Sequence, residues 1–231
     1  MSHYINLPLS GLEEPLSDME QTVQDIAHRF AVDVLRPASA RIDGMSAGEF
    51  VAQDSPLWDI LRQAAGLGLS VKAMQELEPL ERERILLIAA EELAWGEGGL
   101  AGMVLVSQMP GLFSALAGNT AMVDYCDGKL GCWGITEPDH GSDSLDADGS
   151  IAAATGSYGR PNCVARIEGD RIIVNGQKSA WVSGATVAQV CALYCHLEEN
   201  GKPTRGCRLS YRWTLPASAK ANPWKKSACA G

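Results

Sequence analysis

The chain has 231 residues, 46% of them hydrophobic, and a formal charge of −9. That length holds one large domain or two small ones with an ordinary apolar core, and the acidic body excludes nucleic acid as a partner. No window reaches about 18 consecutive apolar residues, and the N-terminus lacks a basic stretch followed by an apolar one, so no membrane span and no secretory leader are expected and the protein reads as cytoplasmic.

Residues up to about 125 predict helices. Val23, Ile26, Ala27, Phe30 and Val34 recur at helical spacing as one apolar stripe. Ser17 followed by Glu20 fits a capping box at the start of that helix, and Pro37 is expected to end it near Arg36. A second helix runs from about Ser55 to Ala65, with Leu57, Ile60, Leu61 and Ala64 on one face and Gly66 and Gly68 as stops. A third covers about Glu78 to Trp95, turning Ile85, Ile88, Ala89 and Leu93 inward. A fourth, about Gly98 to Gln108, is apolar nearly all round and is expected to be buried. Short helices follow near 111–117 and 119–126.

The pattern changes at Gly131. Residues 132–136, CWGIT, are a short buried strand candidate, and 137–161 read as loop. Residues 162–169 alternate and end in a turn at EGD. Asn175-Gly176 between apolar runs is the strongest short hairpin signal. Residues 185–198 predict another strand, with ENGKPTRG as the turn after it. An all-α half followed by antiparallel β, without βαβ alternation, disfavours a Rossmann fold. Seven scattered cysteines (126, 132, 163, 191, 195, 207 and 229) form no CxxC, and the four histidines lie far apart. Reduced, mostly buried thiols are expected, and no metal site.

The stretch WGITEPDHGSD, residues 133–143, sits at the end of the first strand candidate. Trp133 offers a flat apolar wall. Ile135 and Thr136 place backbone polar groups and a hydroxyl at the strand end. Pro138 turns the chain, Gly141 permits close backbone approach, and Ser142 adds a hydroxyl. Such a surface can take a planar heterocycle with polar edges and a nearby phosphate. Glu137, Asp139 and Asp143 would then have to turn away, into caps or ion pairs. A second aromatic and hydroxyl, Trp181 and Ser183, follow in KSAWVSGA, residues 178–185. By residue chemistry alone, an ordinary turn with tryptophans in a core is the competing reading.

These motifs resemble the acyl-CoA dehydrogenase family. The run from Trp133 to Asp143 is similar to the family's aromatic-x-(V/I/L)-(T/S)-E-P-x-x-G-S-D signature, and Lys178-Ser179-Ala180-Trp181-Val182-Ser183 to its K-x-W-I-(S/T) segment. EGDRIIVNGQK (168–178) looks like the family's EGDxYxLNGxK hairpin, and EELAWGEGGL (91–100) like an EELA helix end. The resemblance covers about residues 15–206. It implies an α+β chain: a helical N-terminal domain over 1–127, then an incomplete antiparallel β-barrel-like middle domain over 128–206. It implies FAD as cofactor, held by Trp133, Ile135, Thr136, Gly141, Ser142, Trp181, Val182 and Ser183, with Ser142 also on the acyl-CoA substrate. It further implies an electron-transfer flavoprotein or similar acceptor, an oligomeric intact enzyme, and oxidation of a Cα–Cβ bond. Tryptophan replaces the commoner Tyr or Phe at 133, and Asp139-His140 stands where many members carry Gly-Ala. His140 reads as structural or solvent-exposed, with contact to the nucleotide as the alternative. The family's base is a glutamate in a C-terminal helical domain, so the catalytic residue of this chain is unknown.

All 28 acids precede residue 200, whereas 7 of the 19 basic residues follow it. Residues 207–231 depart from the family pattern. Shifting each codon to begin at the preceding third base, with permitted synonymous choices, turns CRLSYRWTLPASAKANPWKKSACAG into LSFIVPLDLAGVSKGKPLEKIGLRG, the expected continuation. Residues 207–231 therefore read as an out-of-frame basic tail on a shortened, inactive flavoprotein. A non-catalytic binding fragment and a relative with oxidase or monooxygenase chemistry are the alternatives.

Overall fold

The computed structural model describes residues 15–146, 156, 158–169, 171–179, 182–199 and 202–212. Helix α1 (Asp18–Phe30) opens with the expected capping box: the Glu20 N–H donates to Ser17 Oγ at 3.2 Å, and the Ser17 N–H to Glu20 Oε2 at 2.8 Å. Its buried face is Glu20, Gln24, Ala27 and Phe30, and Ile26 is exposed. The stripe is thus rotated from the apolar pattern, because two polar side chains find partners inside and displace Ile26 outward.

Pro37 does not stop the chain. A five-residue π segment, Ala31–Leu35, carries it into α2 (Arg36–Ile42), where Pro37 lies in the first turn. The Arg36 N–H reaches back to the Ala31 carbonyl, five residues away. This widened turn precedes the proline and absorbs the misfit it would cause in a regular helix. It also seats the end of a later helix: a Cβ on Gly96 would lie 2.6 Å from Ala31 Cβ.

Two one-turn helices absent from the apolar pattern, α3 (Ala47–Phe50) and α5 (Val71–Met74), flank α4 (Leu57–Ala65). Leu57, Ile60, Leu61 and Ala64 of α4 are buried as expected. Helix α6 (Pro79–Gly96) buries Ile85, Ala89, Leu93 and, unexpectedly, Glu92. Helices α7 (Gly98–Val106), α8 (Met109–Leu116) and α9 (Thr120–Cys126) complete this half. Gly98–Leu116 is apolar and long enough to cross a membrane by composition, with a mean hydropathy of 1.4. It is two helices, however, broken at Ser107 and Gln108. Burial of α7 is limited to Leu100 and Ala101, because one face meets the core around Phe30, Leu35 and Leu93 while the others stay half-covered.

The second half is a five-stranded mixed sheet of β1 (Gly131–Gly134), β2 (Val164–Glu168), β3 (Arg171–Asn175), β4 (Val190–Glu199) and β5 (Lys202–Arg212). The long strand β4 organises it. One edge of β4 pairs antiparallel with β5, and the other takes β1 and then β2 end to end, both parallel. The expected antiparallel arrangement is therefore corrected, and among the described residues the sheet does not close into a barrel. β4 starts at Val190, because residues 183–187 form a turn. Part of the expected turn after it, from Lys202 onward, is strand.

The turn expected at EGD joins Glu168 to Arg171, which pair, and the Asn175-Gly176 signal is not the hairpin turn. Gly176 ends β3 with φ +146, and a Cβ there would lie 2.4 Å from Cys163 Cα. Glycine is required at 176 for close passage across the start of β2, not for reversing the chain. Cys126, Cys132, Cys163, Cys191 and Cys195 are free and buried, as expected. Residues 213–231 of the expected tail lie outside the described residues, and 207–212 belong to β5.

Candidate functional site

The motif turn leaves the sheet at the end of β1 and is anchored from beneath. Glu137 is 3% exposed. Its carboxylate accepts the N–H groups of Asn162 at 2.6 Å and Cys163 at 2.9 Å, and it pairs with Lys178 Nζ at 2.7 Å. Lys178, equally buried, also donates to the Ile135 carbonyl at 3.1 Å. One residue on, the Ser179 N–H donates to the Thr136 carbonyl at 2.9 Å. A buried ion pair is tolerated only when further hydrogen bonds satisfy its atoms, and here those bonds tie together the ends of β1 and β3 and the entry to β2.

This juxtaposition joins the two motifs. Ser179 sits against Thr136, just past the end of β1, and Gly184 near its start, where a Cβ would lie 3.6 Å from the Gly131 carbonyl oxygen. Ile135 and Thr136 are half-buried, Ser142 and Ser183 exposed, and Val182 is packed into the sheet core with Cys132 and Leu193, its carbonyl accepting the Ala185 N–H at 3.1 Å. Trp133 is half-buried and meets the Phe113 ring edge-on at 5.5 Å and 61°. Trp181 lies outside the described residues.

A second set of bonds shapes the far side of the turn. The Glu137 N–H closes it onto the His140 carbonyl at 2.8 Å. His140 is buried, and its Nδ1 lies 2.7 Å from Asp143 Oδ2. Asp143 also accepts the N–H groups of Gly141 at 2.8 Å and Gly159 at 3.2 Å. The hydrogen bond from His140, then these amides, hold the Asp143 carboxyl down to about 2. Nearby, Tyr158 donates to Asp146 at 2.9 Å, which pushes the phenol up. The expected fate is met for Glu137 and Asp143, which are engaged inward, whereas Asp139 is exposed to water. His140 is structural in placement rather than solvent-exposed.

Three features favour a ligand here. Nothing lies within 4 Å of a Cβ built on Gly141, so the backbone is approachable there. Among the described residues, the buried side-chain polar atoms without a partner are His140 Nε2 and Ser179 Oγ, one on each motif. Orphaned polar atoms in a core are rare and call for a cause. By contrast, the cleft lined by Val71, Ser107, Gln108, Gly111, Val123 and Cys126 has room for about one water molecule and holds no cofactor. No cluster of metal-ligating side chains is present among the described residues.

The Glu137–Lys178 pair was not legible as a pair. Its signal was a lone lysine between apolar runs, 41 residues from a glutamate that needed a partner. The helical half hides similar pairs: His28 Nδ1 with Glu92 at 2.9 Å, and Arg84 with Glu20.

No family model matches the sequence. Solved structures do match the fold. The flavoprotein nitroalkane oxidase superposes over 91% of this chain and 51% of its own, with a TM-score of 0.64 at 19% identity. A probable acyl-CoA dehydrogenase from Mycobacterium abscessus covers 85% of this chain and 48% of its own, with a TM-score of 0.57 at 19% identity. The fold is that of the acyl-CoA dehydrogenases. Its relative PigA, solved as an FAD complex, covers 83% of this chain and 47% of its own, with a TM-score of 0.56 at 20% identity. The chain spans about half the length of these acyl-CoA dehydrogenase-like structures.

Proposed function

We propose that this chain carries the flavin-dinucleotide site of an acyl-CoA dehydrogenase-like oxidoreductase. The observation that carries the reading is the joining of its two motifs, with Lys178 bonded to Glu137 and Ile135 and Ser179 to Thr136. In this reading Ile135, Thr136, Val182 and Ser183 meet the polar edge of the ring system through backbone and hydroxyl groups. Trp133 and Trp181 supply apolar walls. Gly141 and Ser142 face the diphosphate, where an approachable backbone and an exposed hydroxyl suit an anion. FAD held by these residues would supply a hydride acceptor for the oxidation of an acyl-CoA, and the part of this chain's residues would be to bind and orient it. The resemblance puts the base in a C-terminal helical domain of the intact enzyme, and with that enzyme go the barrel-like sheet, the electron-transfer partner and oligomerisation.

The likeness to nitroalkane oxidase supports a second reading, in which the same site serves an oxidase and the reduced flavin passes its electrons to oxygen. Hydrogen peroxide formed on turnover of an intact homologue separates the two. The common claim is tested by titrating the purified chain with FAD and following flavin fluorescence. Saturable quenching at a 1:1 ratio is expected, and a folded chain that leaves the fluorescence unchanged contradicts the proposal.

A further inference from the structure

The turn holds an imidazole that the proposed site has not yet used. His140 is buried, its Nδ1 edge is fixed on Asp143, and its opposite edge, Nε2, has no partner. With Asp143 ionised, the Nδ1–H donates to it, an assignment made from that bond, and donation from Nε2 as well requires the second proton of an imidazolium. The Gly141 and Gly159 amides hold the Asp143 carboxylate in place, and that carboxylate in turn holds the Nδ1 edge of the ring. Such a held imidazole is preorganised for a ligand at Nε2.

We propose that His140 is a phosphate-binding residue whose Nε2–H donates to a phosphoryl oxygen of the dinucleotide's diphosphate. The inference rests on the flavin-dinucleotide reading above. Charge chooses the ligand group. Asp143 carries a negative charge that balances an imidazolium, and an anion at Nε2 completes an alternating carboxylate, imidazolium, phosphate row. Glu137 is already neutralised by Lys178, and Asp139 is exposed to water, so neither opposes it at close range. Position agrees, because His140 directly precedes Gly141 and Ser142, where the backbone is open. Ser179 Oγ, the other orphan, flanks the same turn from the second motif.

The test titrates the full chain and its H140L and H140Q variants with FAD, ADP and riboflavin by calorimetry. H140L is expected to weaken FAD and ADP by about tenfold or more while leaving riboflavin unchanged, and H140Q, which keeps a donor, to recover part of the loss. On the unmutated chain, nitrogen-15 spectra of the His140 ring are expected to show Nε2 shifting when ADP is added; this readout stands even if a variant folds poorly. Equal FAD affinity in H140L, equal weakening of riboflavin, or an unmoved ring spectrum overturns the inference alone. Failure of the unmutated chain to bind FAD overturns the proposed function and this inference with it.

Discussion

At Glu137 a carboxylate has left water and is repaid by two backbone amides and one ammonium. Removing the ammonium alone would strand a charge in the core. K178M is therefore expected to destabilise the chain by about 3–5 kcal/mol in urea unfolding. The double variant K178M/E137Q should recover part of that, since it leaves no buried charge and its amide oxygen still accepts from one of the Asn162 and Cys163 N–H groups; no recovery would mean that packing of the lysine stem, not charge, dominates. The two thiols behind this pair play no such part. Cys132 and Cys191 face each other across β1 and β4, and the Cys132 thiol is pushed up because it donates to Cys191 and is buried. That makes it a packing group rather than a nucleophile. Residue types foretold that the acids of the turn must be occupied, since three carboxylates beside a phosphate repel it. They could not name Lys178, because a partner 41 residues away is decided by how two strands cross.

Elements whose burial follows one strong period were legible. Helix α4 has the expected face because Leu57, Ile60, Leu61 and Ala64 leave no competing arrangement. Helix α1 was misjudged where polar groups compete for the interior: Glu20 and Gln24 go in, and Ile26 goes out. The turn expected at EGD forms, with five-residue strands pairing on either side of it, whereas the second signal, Asn175-Gly176, competed with it in the sequence and is not the hairpin turn. The Glu20–Arg84 pair, joining α1 to α6, carries a prediction at this scale. Hydrogen bonds from Arg84 first, then from the Ser17 N–H, hold the Glu20 carboxyl down to about 2 from its ordinary 4.5. A depressed carboxyl contributes stability that is fully present above the unfolded value and is lost as pH falls from about 4.5 towards 2. E20Q is expected to cost about 1–3 kcal/mol near neutral pH and to flatten the stability profile across that window. An unchanged slope in acid titration of E20Q would assign the acid sensitivity to other groups.

Across the whole molecule, the succession of a helical half and a β half was legible from the change in period at Gly131. Strand direction was not. β1 and β2 both pair parallel with β4, at Val190–Leu193 and His196–Glu199, and the Glu137 and Lys178 bonds tie the end of β1 to the entry of β2. Val187 of the β half packs in the helical core, so the site rests on both halves.

Hydrogen exchange of the chain with and without FAD tests this account most directly. The account predicts added protection at amides 135–143 and 178–184, with helices α4 and α6 unchanged. Protection confined to the helical half, or none at saturating FAD, would contradict it.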